Sequence, residues 1–242
     1  MRIRIVLDLK NKKIPVQYKS ILVGIIYSFF DRNDDTTNLH NAGYIINNRK
    51  FKLFTFSEIY GKTQYIKEDK CLFFLDNGCF DFTSSDENYI NQVVNYLNNN
   101  SSILFGNQII KIVKYDILDD YCDNKEEEKY YTVSPITVYR TEGKFTKFFE
   151  PLDYEFKELI ISNLASKYYL IYHENMPNIE ITNIDNIKMK RTYFRKIMHI
   201  SYHLNITFDK LTPKVKYVIQ TCGLGAKNSV GYGMVSKVKN GK

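Results

Sequence analysis

Residues 212–238 read TPKVKYVIQTCGLGAKNSVGYGMVSKV, and the order of features in this stretch decides between two fold families. Thr212-Pro213 suits the start of a helix, because a Thr hydroxyl can accept from a first-turn N–H and Pro has no N–H to leave unpaired. The spacing predicts a short helix over residues 214–221, a glycine-rich turn over 223–233 and a strand over 231–238. A dinucleotide-binding loop needs the opposite order: a strand, then glycines, then a helix whose N-terminus holds pyrophosphate. The segment also lacks the Gly-Lys-Ser/Thr of a phosphate-binding P-loop. Four glycines, paired as Gly-x-Gly at each end with Lys227 between them, permit positive φ angles and close backbone approach. Exposed N–H groups in such a turn can form an anion nest, with Lys227 adding a full charge.

Upstream of this segment, a strand and helix pattern occurs twice. Residues 2–9 alternate, with Ile3, Ile5, Leu7 and Leu9 on one face, as a half-buried strand does. After Pro15, Leu22, Ile25, Ile26 and Phe29 recur at helical spacing over residues 20–30, and a polar stretch, 31–38, ends the helix. Residues 51–56 and 71–82 read as strands, the second broken by the hairpin signal Asn77-Gly78. Ser84-Ser85-Asp86-Glu87 is a capping-box pattern ahead of a helix over 89–97, and residues 109–117 form the next strand. Strand, helix, strand, strand, helix, strand is the ferredoxin-like plan. The polar run 119–129, with Glu126, Glu127 and Glu128 in succession, reads as a solvated linker. The plan then recurs: a strand over 131–140, a long amphipathic helix over 154–172, strands over 179–190 and 195–208, and the segment quoted above. The expected class is α+β, with two tandem ferredoxin-like (βαββαβ) domains at 1–120 and 130–242.

Composition narrows the partners. The chain has 242 residues, 44% of them apolar, enough for ordinary packed cores. Lys and Arg number 34 against 27 Asp and Glu, a net charge of +7 that suits a polyanionic partner without requiring one. The 20 Tyr and 16 Phe accompany abundant Asn, Ile and Lys, as in proteins of AT-rich genomes, so aromatic richness is no binding signal. Cys71, Cys79, Cys122 and Cys222 form no CxxC pair, which argues against a zinc ribbon. No apolar run approaches the roughly 18 residues of a membrane span, and a cytoplasmic protein with reduced thiols is expected. His199 and His203 have HxxxH spacing, but they fall in a strand pattern, where they share a polar face with Ser201 and Asn205. No metal site and no cofactor are expected.

The run Gly223-Leu224-Gly225-Ala226-Lys227-Asn228-Ser229-Val230-Gly231-Tyr232-Gly233 resembles the signature loop of the RAMP proteins, CRISPR-associated proteins built on ferredoxin-like domains. Within them the repeat-processing endoribonuclease branch is the nearest match. Gly24-Ile25-Ile26-Tyr27, Leu39-His40 and the stretch from Phe51 to Ser57 extend the likeness through the first half in order and approximate spacing. Ser134-Pro135-Ile136 carries it more weakly into the second. The resemblance implies metal-independent cleavage of precursor CRISPR RNA within the repeat, and a catalytic set at Tyr27, His40 and Lys52. It also implies RNA contact by Gly223, Gly225, Lys227, Asn228, Ser229, Gly231 and Gly233. CRISPR repeat RNA is the implied partner, with other effector-complex subunits allowed, as a monomer or homodimer.

The chemistry agrees with these residue types. RNA supplies its own nucleophile, the ribose 2′-OH, and its attack on the adjacent phosphorus leaves a 2′,3′-cyclic phosphate and a 5′-OH. His, with a pKa near 6.5, can give a proton to the leaving 5′-oxygen. Lys, a fixed cation, suits the charge that builds on phosphorus. Tyr, with a pKa near 10, is a weak base but can orient the 2′-OH. His40 is therefore expected as general acid, Tyr27 as general base or orienting group, and Lys52 as electrostatic stabiliser. Tyr44, Arg49 and Lys50 are neighbouring substitutes. The densest basic cluster, with Lys188, Lys190, Arg191 and Arg195 around Tyr193 and Phe194, is expected to hold phosphates and stack bases. The alternative is a non-catalytic RAMP subunit that coats guide RNA, which would share the fold and the loop but need no Tyr27/His40/Lys52 set.

Overall fold

The computed structural model describes residues 1–30, 43–46, 49–118, 125, 127–194 and 197–238. The first half runs β1 (Arg2–Leu7), β2 (Lys13–Pro15), α1 (Lys19–Ser28), β3 (Tyr44–Ile46), β4 (Arg49–Phe51), β5 (Phe54–Phe56), β6 (Thr63–Ile66), β7 (Cys71–Phe74), β8 (Gly78–Ser84), α2 (Glu87–Asn99), β9 (Ser102–Phe105) and β10 (Gln108–Leu118). Its main sheet has the order β5-β8-β1-β10-β9, antiparallel throughout. Four of those strands reproduce the βαββαβ arrangement, and β9 extends the edge. Ile3 and Ile5 stand opposite Phe82 and Phe80, so one sheet face is apolar. Against it pack Leu22, Ile25 and Ile26 of α1 and Ile90, Val93 and Leu97 of α2.

The second half runs β11 (Glu128–Thr132), β12 (Tyr139–Glu142), β13 (Phe145–Phe148), α3 (Tyr154–Tyr172), β14 (Glu180–Phe194), β15 (Ile197–Asp209), α4 (Pro213–Cys222), a 3-10 turn at Asn228–Val230 and β16 (Val235–Lys237). Its sheet has the order β14-β15-β11-β16, the same arrangement again. Leu204, Ile206 and Phe208 of β15 meet Phe156, Ile160 and Leu164 of α3 and Val215, Val218 and Ile219 of α4 in a second core. Each such side chain contributes about 1.5–3 kcal/mol when fully buried. The molecule is thus α+β with two tandem ferredoxin-like folds.

Local physics explains most element ends. Thr212 caps α4 by accepting from the Val215 N–H, with Pro213 in the first turn. Helix α2 is capped by Asp86, which accepts from the Asn88 N–H, so the start lies at the acidic residue of the capping pattern and not at Ser84. Three expectations are corrected. Residues 71–82 are not a hairpin: β7 joins a small sheet with β2 and β6, while β8 enters the main sheet. Neither Asn77 nor Gly78 takes the positive φ that a tight hairpin turn requires. Residues 51–56 are two strands, with Leu53 turned into the core of the second half. Glu128 is no part of a solvated linker. It opens β11, is buried, and pairs with Lys216 at 2.7 Å and Lys237 at 2.8 Å. Gly61-Lys62-Thr63, a P-loop-like triplet, leads into β6 and not into a helix.

The halves touch through named contacts. The Arg2 guanidinium donates to the Val235 carbonyl at 2.8 Å and to the Ser236 hydroxyl. Cys222, fully buried at the end of α4, lies 3.2 Å from the Ser85 hydroxyl, with burial raising its thiol pKa. Glu58 meets Lys190 at 2.6 Å and His203 at 3.7 Å. Burial alone would push Glu58 up, but His203, Lys190 and Lys19 together hold it down to about 2.

Candidate RNA interface

The loop from Gly223 to Gly233 is closed on itself. The Leu224 N–H donates to the Gly233 carbonyl at 2.8 Å, and the Gly231 N–H to the Asn228 carbonyl at 2.9 Å. All four glycines have positive φ and are buried. At two of them the reason is severe. A β-carbon on Gly233 would stand 1.9 Å from the Leu224 carbonyl oxygen, and one on Gly231 would stand 2.6 Å from the Phe56 ring. The glycines therefore serve the loop's contact with protein, not open space for a ligand. The amides of Leu224, Ala226, Val230, Gly231 and Gly233 likewise donate to protein carbonyls, which leaves little of an anion nest.

Two buried lysines hold this loop, one from each half. Lys167 of α3 donates to the Gly223 carbonyl at 2.8 Å, to the Asn228 side-chain oxygen at 2.7 Å and to the Gly225 carbonyl at 3.4 Å. Asn228 passes the connection on, its amide nitrogen donating to Leu224 and Tyr232 carbonyls at 3.0 Å each. Burial pushes the Lys167 ammonium down to about 7. From α1, Lys19 donates to the Gly231 carbonyl at 2.6 Å and lies 4.0 Å from the centre of the Tyr232 ring. Burial lowers it to about 8, opposed by Glu58. Sequence reading missed both. The signal for Lys167 was present: with Phe156, Ile160 and Leu164 it falls on the apolar stripe of α3, an odd place for a lysine.

The outward side of the loop is different. Lys227 is exposed and takes a left-handed φ of 62°, unusual for a residue with a side chain. It borders a cleft of about 500 Å³ between the loop, α3, β12 and β4 with Lys52 just after it. Arg49, Lys50, Lys52, Arg140 and Lys227 line the cleft together with the buried Lys167 and with Ser229. The break between β4 and β5 releases Lys52 from strand pairing. Its ammonium donates to the Tyr27 hydroxyl at 3.0 Å and lies 4.4 Å from the centre of the Tyr27 ring. Tyr27 is half-buried on α1, edge-on to Phe30 and Phe54. His40 lies outside the described residues.

Of the expected basic cluster, the structure gathers only part. Strand alternation sends Lys188, Lys190 and Thr192 to the face that carries His203, Ser201 and His199, and Arg191 and Tyr193 to the other. Lys190 is engaged by Glu58, while Lys188 and Arg191 are exposed. Arg195 lies outside the described residues. His199 and His203 do share a strand face, with His203 bonded to Thr132 at 3.1 Å. Among the described residues, no three His, Cys, Asp or Glu side chains gather as metal ligands, and no helix is long and apolar enough to cross a membrane.

Comparison with known proteins agrees with this architecture. "CRISPR-associated endoribonuclease Cas6 2" of Methanocaldococcus jannaschii is 26% identical over 246 residues, covering 91% of this chain and 92% of that one. "CRISPR-associated endoribonuclease Cas6" of Pyrococcus furiosus is 25% identical, covering 99% and 90%. A solved structure described as "CRISPR associated protein Cas6" superposes with a TM-score of 0.80 at 25% identity, over 99% of both chains. The family described as "CRISPR associated protein Cas6, C-terminal" matches residues 117–237, which include β11 to β16 and the entire glycine loop. The chain belongs to the Cas6 family of CRISPR-associated proteins.

Proposed function

We propose that this protein is an endoribonuclease that cuts precursor CRISPR RNA within its repeat, without a metal, and leaves 5′-OH and 2′,3′-cyclic phosphate ends. The observation that carries the reading is the 3.0 Å contact between Lys52 and Tyr27 beside the cationic cleft. A subunit that only coats RNA has no need for a lysine and a phenol brought together at the mouth of such a groove. We also read 1–120 and 130–242 as the two domains, the first carrying the catalytic set and the second the loop.

The scissile phosphate rests near Lys52, whose charge offsets the negative charge that grows on the equatorial oxygens. With Lys52 donating to its oxygen, Tyr27 keeps its own O–H for a substrate oxygen, which favours orienting the 2′-OH. The 2′-oxygen attacks phosphorus, its proton passes to base or solvent, and the bond from phosphorus to the 5′-oxygen breaks. His40 gives the leaving oxygen its proton. Lys227, Ser229 and the other residues of the loop's outer side hold the backbone, with Lys188 and Arg191 extending the basic surface. The RNA supplies the nucleophile, so no metal-bound water is required.

The test replaces the single ribose upstream of the scissile phosphate by deoxyribose. This RNA should bind almost as tightly as the natural repeat, since phosphate and base contacts remain, yet stay uncut in EDTA or Mg²⁺ alike. Continued cleavage at the same bond defeats internal attack. His40→Ala should slow single-turnover cleavage by roughly 10²–10⁴ with little change in affinity, and Lys52→Ala by roughly 10²–10³. A full wild-type rate in either variant removes that residue from the mechanism.

A further inference from the structure

We infer that the face of the β12–β13 hairpin carrying Arg140, Phe145 and Lys147 holds a stretch of single-stranded RNA just beyond the cleft. The inference rests on RNA being the ligand. The hairpin lies outside both main sheets, between β11 and α3, where the ferredoxin-like plan needs only a connection. One of its faces fixes the register. There the Tyr139 and Phe148 rings pack at 5.7 Å, the Thr141 and Thr146 hydroxyls meet at 3.2 Å, and Phe148 stands edge-on to His199 at 6.0 Å. Strand alternation sends Arg140, Glu142, Phe145 and Lys147 to the other face.

That other face holds a repulsion that an anion would relieve. Arg140 and Lys147 stand directly opposite each other, both exposed, and like charges so placed destabilise a strand pair. Both heads also gather on one ring: the Arg140 guanidinium lies 6.0 Å and the Lys147 ammonium 4.8 Å from the centre of Phe149. Among the described residues neither has a carboxylate partner, and Glu142, opposite Phe145, pairs with neither. Phe145 is 83% exposed, a bare ring beside two cations. Cations that only guard a sheet edge need no such ring. Cations along a phosphate backbone, with an aromatic side chain on which a base stacks, are how proteins hold single strands. Within a duplex the base faces are stacked away from Phe145, which selects the single strand. Arg140 also lines the cleft, so this face continues the path of a strand leaving it.

The experiment measures binding of a repeat RNA made uncleavable by deoxyribose at the cut site. Lys147→Glu replaces the like pair by an opposite one, so the variant should melt no lower than wild type. Its affinity should nevertheless fall, and the slope of log affinity against log salt should flatten by at least about 0.7, one phosphate on a single strand. Phe145→Ala should cost about tenfold in affinity at an unchanged melting temperature. Abasic substitutions scanned through the unpaired nucleotides should locate one position where wild type loses about tenfold and Phe145→Ala loses nothing further. Shortening the RNA from one end, past that position, should erase the difference between the two proteins. The inference is overturned if both variants bind the full repeat as wild type does, or if their losses persist on the shortened RNA. It is equally overturned if Phe145→Ala keeps its RNA affinity and instead abolishes self-association, which would make a second copy of the chain the occupant. Failure of the wild type to bind the natural repeat would instead overturn the RNA reading itself.

Discussion

The two sides of the glycine loop have opposite relations to the rest of the protein. The inner side is spent: four buried glycines, Asn228 and five amides all engage protein, and Lys167 and Lys19 grip its carbonyls. The outer side keeps its polar groups, with Lys227 exposed over the cleft. Both sides would be called RNA-binding from the sequence, because a glycine-rich basic run does not say which way its residues face. The contrast teaches that residues of one motif can divide between building a shape and using it.

Gly233→Ala should have the largest effect. Its β-carbon would meet the Leu224 carbonyl oxygen at 1.9 Å, and the loop cannot close around it. A loss of roughly 3 kcal/mol or more in urea unfolding is expected, with RNA cleavage lost as a consequence. Unchanged stability would dissolve the contrast.

Lys167→Met comes next. It leaves acceptors of Gly223 and Asn228 buried and unpaired, at roughly 1–3 kcal/mol each. The variant should unfold at lower urea and cut more slowly. A variant that lost RNA binding but not stability would move Lys167 to the user side of the division.

Lys227→Gly sharpens the comparison because its two effects differ in sign. Glycine relieves the left-handed φ, so stability should rise by about 0.5–1 kcal/mol. Affinity should fall, and the slope of log affinity against log salt should flatten by about 0.7, one phosphate contact on a single strand. If affinity and salt slope both held, the outer side would be structural too.

The smallest effect concerns Glu58, which ties the loop's surroundings to β14 and β15. Its carboxyl is held at about 2 against an ordinary 4.5. A depressed carboxylate contributes stability that is complete above its ordinary value and is lost as pH falls toward the depressed one. Glu58→Gln should therefore flatten stability against pH between about 4.5 and 2, while wild type loses stability across that window. Identical acid limbs in the two proteins would show that the Lys190 and His203 contacts carry no weight.

How legible the molecule was depends on the range of the forces involved. The helix Tyr154–Tyr172 follows from its own periodicity, and α4 follows from Thr212-Pro213, because both signals are local. The split at Lys52 and Leu53 was invisible: Leu53 turns toward the second core, whose other buried members run from Tyr130 onward. Glu128 read as solvated beside two other glutamates because Lys216 and Lys237 reach it only through the fold. In the site, residue types that carry proton and charge chemistry can be named from the chain, and Tyr27 and Lys52 do meet. The brace at Lys19 could not be named, since its partner is a carbonyl, which every residue has; Lys167 showed in the chain only as a lysine on an apolar stripe, with nothing to say what it would hold.

Cys222 gives the seam between the halves a chemical clock. Its sulfur is enclosed by Ser85 and Leu53 of the first half, and burial raises its pKa, so both access and thiolate formation are suppressed while the halves stay docked. Cys71 and Cys79 are only half-buried. With those two and Cys122 replaced by Ser, the rate at which an alkylating reagent consumes the remaining thiol reports how often the seam opens under native conditions, much as amide exchange reports local unfolding. Because α4 leads directly into Gly223, each opening also loosens the root of the loop. RNA held across the cleft should then slow the labelling, and the degree of slowing would measure how strongly the substrate staples the two halves together.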